Sequence, residues 1–552
     1  MSHPLFEKHQ ANLQAAIDAI VSRGYWSPYS ESPRSYGETA VDDGREAFEA
    51  YRGAQFYLDQ PGVMGRSGAE VSPYGLPLSI GYPRCAPDAL IAAGKAAMTG
   101  WIKAGPDTRA GVCLEILARL NAGSFEMAHA VMHTTGQPLM MAFHSAGPHA
   151  QDRGLEAVAT AWREMKHIPE TAIWEKPQGK NPPLKLEKRF TIAPRGVALV
   201  IACSTFPTWN AYPGLFASLV TGNAVIVKPH PSVILPLALT VAVARQVLKE
   251  GGFDPNLVSL LIDEAAAPVA KEVAIKPDIR IIDYTGSAEF GNWLEQSARQ
   301  AVVFTEKAGM NCIVVDSVLD YKAMLRNLAF TLSLYSGQMC TTPQTIFVAR
   351  DGVMTPDGTV SAEQFGKDLA MVVSKLLEDP ARAVEVLGAI QSPATIARID
   401  AAQELGEVLR ASGVVIHPQW PQARVRSPLI LKVHTADERA YTEECFGPIS
   451  LVVETATAAE SLATAERVIR ERGAITFAIY SSNPVLVQLA EEVSLRAGVA
   501  LSINLTGNLF VNQSAGFSDF HATGANPAAN ACLTDSAFVA SRFFVIQNRR
   551  HI

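Results

Sequence analysis

At 552 residues the chain exceeds what one hydrophobic core organises, so two or three domains are expected. With 48% hydrophobic and 18% charged residues it can bury a sizeable core and is not a disordered chain. A net charge of −7 argues against a broad basic surface for nucleic acid.

The N-terminal run Met1-Ser-His-Pro-Leu-Phe-Glu-Lys-His lacks a basic segment followed by an apolar one, so no secretory signal is apparent. The most apolar run, residues 197–202, falls far short of the roughly 20 residues a membrane span needs. Seven cysteines, odd in number and without a CxxC pair, fit a reducing compartment rather than a disulfide framework. A cytoplasmic enzyme with neither membrane nor nucleic-acid partners is the expectation.

Through residue 86 the chain is dense in turn signals, with Glu46 to Tyr57 patterned as a short amphipathic helix. From Pro87 to about Met165 apolar residues recur at helical spacing, as at Leu114, Leu117 and Leu120. His129 and His133 stand four apart there, the spacing of a metal pair. HAVMH lacks the glutamate of a zinc hydrolase motif and no third ligand is evident, so no metal is expected. Residues 177–196 begin polar and Pro-rich, then alternate like an exposed hairpin arm, whose edge needs a partner.

Beyond the arm, strands and helices alternate, which predicts a parallel sheet covered by helices. Strand 197–202 precedes a helix over 213–221, strand 223–228, and a helix from Val233 to Glu250 with Ser232 as its cap. Strands 258–262 and 279–284 lead to Thr285-Gly286-Ser287, a turn opening a helix. Free N–H groups and the helix dipole favour an anion at such a turn, a pyrophosphate for example. Neither GxGxxG nor a Walker A motif occurs.

The chemistry centres on Ser336-Gly337-Gln338-Met339-Cys340, a tight turn between a helix-like run and a strand at 345–348. Upstream, Glu306 stands just before another strand-like run, 313–315. A cysteine nucleophile needs a thiolate, and a carboxylate can take a proton from it or from an attacking water. Taken alone, such a pair is more often a buried small hydrophobe and a surface charge.

Four ordered motifs reverse that balance: Thr208-Trp209-Asn210-Ala-Tyr-Pro213, Phe304-Thr305-Glu306-x-x-Gly309, Gly337-Gln338-x-Cys340, and Glu443-Glu444-Cys445-Phe446-Gly447-Pro448. Together they resemble the aldehyde dehydrogenase superfamily over about residues 90 to 510. The resemblance implies an α/β fold: a parallel-sheet cofactor domain, an α/β catalytic domain and a small β oligomerisation arm. Residues 1–86 would be an N-terminal extension packed on the cofactor domain, and 87–308 the NAD(P)-binding domain. The catalytic domain would span 309–522, with 177–196 and 523–552 as the arm. Across subunits the arm would pair with a strand at 538–545, giving a homodimer or a dimer of dimers. A hairpin within one subunit is the alternative.

The resemblance also implies roles. Cys340 attacks an aldehyde, Asn210 donates to the oxyanion, and Glu306 activates the water that hydrolyses the thioester. Glu444 and Phe446 would hold the nicotinamide ribose and ring, Lys228 the adenosine ribose, and Ser287 the pyrophosphate turn. Trp209 and Gly309 would also lie against the cofactor. Lys228-Pro229-His230-Pro231 puts a proline where NAD users often carry a glutamate for the ribose 2′-hydroxyl, which makes NADP the first expectation and NAD the second.

Two departures stand out: Ala308-Gly309 in place of Gly-Gly, and Ser514 to Gly524 in place of the usual Pro-Phe-Gly-Gly signature. With the long N-terminal region they resemble the phenylacetic acid degradation branch, the PaaN-type proteins. That branch implies, as substrate, the semialdehyde of a CoA thioester from aromatic ring cleavage. The alternatives are a CoA-acylating relative, which commonly lacks the Glu306 base, and an inactive nucleotide-binding scaffold.

Overall fold

Strands Val197–Ile201 and Ala224–Lys228 are buried along their whole length, as continuous apolar runs covered on both faces must be. They lie within a five-stranded sheet in which 258–260, 224–228, 197–201, 279–286 and 302–307 follow one another, every pair parallel. The order reverses between Val197–Ile201 and Ile279–Gly286, so a crevice opens at the carboxyl ends of those two strands. The computed structural model describes residues 3–307, 309–510, 519 and 521–552.

The second sheet has seven strands, from Glu407–Arg410 at one edge to Ala500–Ile503 at the other. Its centre is Thr345–Ala349 beside Cys312–Val315, and only Glu407–Arg410 runs antiparallel to its neighbour. Cys340, just before strand Thr345–Ala349, lines one cleft with residues at or near the carboxyl ends of first-sheet strands, Ile201, Lys228 and Glu306. This parallel sheet joined to a mixed one is the expected fold class.

Several elements differ from the expectation. The helix after the first strand begins at Pro207, not Pro213, and runs to Val220, so Trp209 and Asn210 sit in its first turn. Pro207 occupies the first helical position, where a missing N–H is harmless. In the N-terminal region the helices are Pro4–Ser22, which was not anticipated, and Ala40–Glu49, earlier than Glu46 to Tyr57. The next helix is Leu235–Glu250, and Ser232 does not cap it. Glu70 does, accepting from Ile234 N and, at 2.9 Å, from Leu235 N. The extension also completes the sheet edge, where Gln60 exchanges hydrogen bonds with the backbone of Leu260 at 2.7 and 2.9 Å.

His129 and His133 share one face of Ser124–Thr135 and are buried, with Phe48 stacked on His133 at 4.7 Å. Burial pushes the His133 imidazole down to about 3. The two imidazoles also stack on each other, ring centres 6.5 Å apart.

The arm is a three-stranded antiparallel sheet in which Asn181–Pro194 lies between Thr171–Gln178 and the C-terminal Phe543–His551. Gly179, at φ 63°, turns the hairpin. The C-terminal strand starts later than 538–545, because Ser536–Ala540 is helical, with Asp535 accepting from Phe538 N at 2.7 Å. Residues 528–530 instead run beside strand 302–307, where Lys307 N donates to Ala528 O at 2.6 Å and Asn530 N to Thr305 O at 3.2 Å.

Candidate active site

Three successive residues in left-handed conformation shape the turn before the thiol: Tyr335 (φ 50°), Ser336 (φ 49°) and Gly337 (φ 62°). Left-handed non-glycine residues cost about 1–3 kcal/mol each and persist only where surroundings hold them. Tyr335 Oη donates to Thr135 O at 2.6 Å, and Ser336 Oγ to Leu387 O at 3.0 Å. A Cβ on Gly337 would lie 2.5 Å from Gly447 O, so glycine is required there. The helix Tyr321–Ser333 thus delivers Cys340 to the mouth of strand Thr345–Ala349.

The cleft between the two sheets has a volume of about 490 Å³. Cys340, Glu306, Asn210, Lys228, Ser287, Glu444 and Phe446 all line it. Glu306, at the carboxyl end of strand Val302–Lys307, is buried, and its Oε1 accepts from Asn210 Nδ2 at 3.1 Å. Its Oε2 has no hydrogen-bond partner among the described residues. An unpartnered buried acceptor costs about 1–3 kcal/mol, and it marks where a water proton can be received. Cys340 opens partly to the cleft yet is ringed by protein. Burial first, then the negative charge of Glu306, pushes its thiol well above the ordinary range.

On the cofactor side, Ser287 caps the helix Ala288–Ser297, its hydroxyl accepting from Phe290 N at 3.4 Å. Lys228 ends strand Ala224–Lys228, and its ammonium donates to Asp263 Oδ1 at 2.7 Å, both groups buried. Burial lowers the Lys228 ammonium while Asp263 opposes the shift. Gly309, Glu444 and Phe446 share a small recess beside the cleft. A Cβ on Gly309 would meet Gly473 O at 2.8 Å, so this glycine answers to backbone packing. Trp209 lies behind the cleft, with Arg153 Cζ 4.9 Å from its ring centre. Ala308, residues 514–518 and Phe520 lie outside the described residues. The residues present fit a dinucleotide: a capped helix start for its phosphates, a buried lysine, and a carboxylate with an aromatic ring.

Sequence reasoning missed two kinds of residue here. The first kind holds loops. Asn311 Nδ2 donates to the carbonyls of Cys340 (2.6 Å) and Thr342 (3.1 Å), while its Oδ1 accepts from Ile475 N and Thr476 N, each at 2.9 Å. Gln344 Oε1 accepts from Cys445 N at 2.6 Å, and Arg398 Nη1 donates to Phe446 O at 2.7 Å. The second kind is His521, whose Nε2 lies 3.0 Å from Cys340 Sγ and 3.3 Å from Glu306 Oε1. The available signal was that it stands in the stretch departing from the usual Pro-Phe-Gly-Gly signature.

Two α/β sheets facing each other across a cleft whose lining can hold a dinucleotide define a dinucleotide-dependent enzyme. Comparison with known proteins makes that class specific: the profile of the Aldehyde dehydrogenase family matches residues 84–497. The chain belongs to the aldehyde dehydrogenase family, whose members oxidise aldehydes with NAD(P). It is 26% identical over 377 residues to a vanillin dehydrogenase of Pseudomonas fluorescens, covering 66% of this chain and 71% of that one. It is also 26% identical over 381 residues to an N-succinylglutamate 5-semialdehyde dehydrogenase of Paraburkholderia xenovorans, covering 68% and 73%. Among solved structures, an NAD-dependent aldehyde dehydrogenase from Burkholderia multivorans superposes with a TM-score of 0.98 at 57% identity, covering 100% of both chains. Among the described residues no helix is long and apolar enough to cross a membrane.

Proposed function

We propose that the chain oxidises an aldehyde to a free carboxylic acid through a thioester on Cys340. The observation that carries this reading is the convergence of Cys340, Glu306 and Asn210 on one wall of the cleft, with the Asn210 amide already donating to Glu306 Oε1. The Cys340 thiolate attacks the carbonyl carbon, and the Asn210 side-chain N–H, with the Cys340 backbone N–H, takes the developing oxyanion. The bound cofactor supplies the hydride acceptor. Glu306 then accepts a proton from the water that attacks the thioester, through the oxygen that has no partner. A CoA-acylating enzyme needs no such base.

The substrate we infer is the semialdehyde of a CoA thioester from aromatic ring cleavage, on the resemblance of the departures described above. The same reading divides the chain at 86, 308 and 522 and gives the β arm to subunit pairing. For the cofactor, the Lys228–Asp263 pair supports NAD over NADP, because the lysine charge that would attract a 2′-phosphate is already compensated. The Burkholderia multivorans relative is likewise described as NAD-dependent.

The test is reduction of NAD and NADP over an aldehyde panel containing CoA-thioester semialdehydes and aromatic aldehydes, with and without free CoA. The reading predicts a free acid, no requirement for CoA, and a higher kcat/KM with NAD. A product thioester formed only with CoA would overturn it.

A further inference from the structure

The imidazole of His521, which no family motif announces, lies 3.0 Å from the Cys340 sulfur through Nε2. The geometry points to His521 as the base that takes the Cys340 proton, so that the resting nucleophile is a thiolate paired with an imidazolium. This rests on the reading of Cys340 as the nucleophile and deepens it.

The argument starts from charge. Burial, then the negative charges of Glu306, Cys203 and Glu444, hold the Cys340 thiol high as long as no cation faces it, so a thiolate there requires a positive partner. Every titratable group just named is an acid. Among the described residues, His521 is the basic group in contact with the sulfur, with Nε2 at 3.0 Å. In the transfer the S–H bond breaks, the electron pair stays on sulfur and the proton joins Nε2. No charge is created overall. The new N–H then lies between two anions, since Glu306 Oε1 is 3.3 Å from the same nitrogen. Thiolates paired in this way with a histidine form at far lower pH than a free thiol.

The surroundings hold the ring in place. Trp209 meets His521 edge-on, with ring centres 4.7 Å apart and planes at 69°. Arg153 lies over that indole: its Cζ is 4.9 Å from the Trp209 ring centre, and its Nη1 donates to Asp519 O at 2.9 Å, two residues before the histidine. Trp209, expected against the cofactor, therefore contacts the histidine. Both His521 and Glu306 are nearly fully buried. An imidazole buried against a sulfur and a carboxylate, and braced by an indole, is built to hold one proton between them.

The experiment is the rate of alkylation of Cys340 by iodoacetamide in the apoenzyme, across about pH 5 to 9. Modification is read by mass spectrometry of the Cys340 peptide, and chelator is present throughout so that no metal masks the thiol. Wild type should react well below the pH of a free thiol. His521→Gln should react at least about tenfold more slowly near pH 7, with its midpoint moved to higher pH. Imidazole added to His521→Ala should restore part of the rate, which a merely structural residue would not allow. A His521→Gln profile equal to wild type, or an alkaline shift in Glu306→Gln alone, would overturn the assignment.

A second measurement guards against variants that fail to fold. The ultraviolet thiolate absorbance of wild type minus Cys340→Ala should persist near pH 7, and its absence there would also overturn it. If Cys340→Ala instead retained aldehyde oxidation, the underlying reading would fail. An inactive Cys340→Ala with an unshifted His521→Gln removes the histidine alone.

Discussion

Asn210 shows how one side chain answers to two demands. Its amide must reach the oxyanion without titrating, and it must also satisfy Glu306 Oε1, to which it donates at 3.1 Å. Asn210→Ala therefore removes an oxyanion donor and leaves the buried carboxylate with one partner fewer. Loss of such a donor costs about 2.7–4 kcal/mol of barrier, or about 10²–10³ in kcat. Steady-state kinetics should show that fall in kcat with nucleotide affinity little changed. A change confined to KM would place the amide on ground-state binding instead. The residue was visible in its motif, but its place in a helix was not. Pro213 looked like a helix start, whereas Pro207 is the start and Pro213 is carried inside the helix.

At the scale of elements, the cysteine turn is held by contacts that no local pattern announces. Asn311 ties the carbonyls of Cys340 and Thr342 to the backbone at Ile475 and Thr476, so one side chain joins three segments. Asn311→Ala gives up four hydrogen bonds at about 0.5–1.5 kcal/mol each, so a loss of roughly 2–6 kcal/mol is expected in denaturant unfolding, with a fall in kcat. Wild-type stability in that variant would show the turn to be held elsewhere. The arm makes a second prediction at this scale. Ile173, Trp174, Phe544, Val545 and Ile546 are exposed on it, large apolar side chains on a sheet with two open edges among the described residues. If the arm pairs subunits as proposed, removing residues 543–552 should lower the particle mass in light scattering to that of one chain, whereas an unchanged mass would move the interface off the arm.

The boundaries of the central strands were legible because buried parallel strands are unbroken apolar runs, as at 197–201 and 224–228. Ser232 misled because a serine before an apolar run is a common cap, while the real cap, Glu70, comes from a segment distant in sequence. His521 could not be placed for the same reason: its partners, Cys340 and Glu306, lie far from it along the chain.

Across the whole molecule, distant segments are fastened to the first sheet by buried charges. Arg542 pairs with Asp283 at 2.5 and 2.8 Å, tying the C-terminal segment to strand Ile279–Gly286. Glu70 ties the N-terminal extension to the cofactor-domain helix. Burial, opposed by bonds from Tyr82, Leu235 and Ile234, raises the Glu70 carboxyl to about 7 from its ordinary 4.5. A carboxyl raised in the folded state binds more protons there than in the unfolded chain, so its stability contribution is present below about 4.5 and is lost as pH rises through about 7. Wild type should therefore lose stability relative to Glu70→Gln between those two values. Parallel stability curves for the two proteins would mean that Glu70 keeps its ordinary carboxyl behaviour in the fold.

The account stands on a covalent thioester at Cys340 that Glu306 clears with water. Glu306→Gln keeps the shape of the side chain and removes the proton acceptor, so acylation should survive while deacylation stalls. Rapid mixing of Glu306→Gln with NAD and an accepted aldehyde measures this directly. The account predicts a burst of reduced cofactor near one equivalent per active subunit, then turnover slowed by about 10²–10⁴, with the acyl mass on the Cys340 peptide. Wild-type turnover with neither burst nor adduct would contradict it.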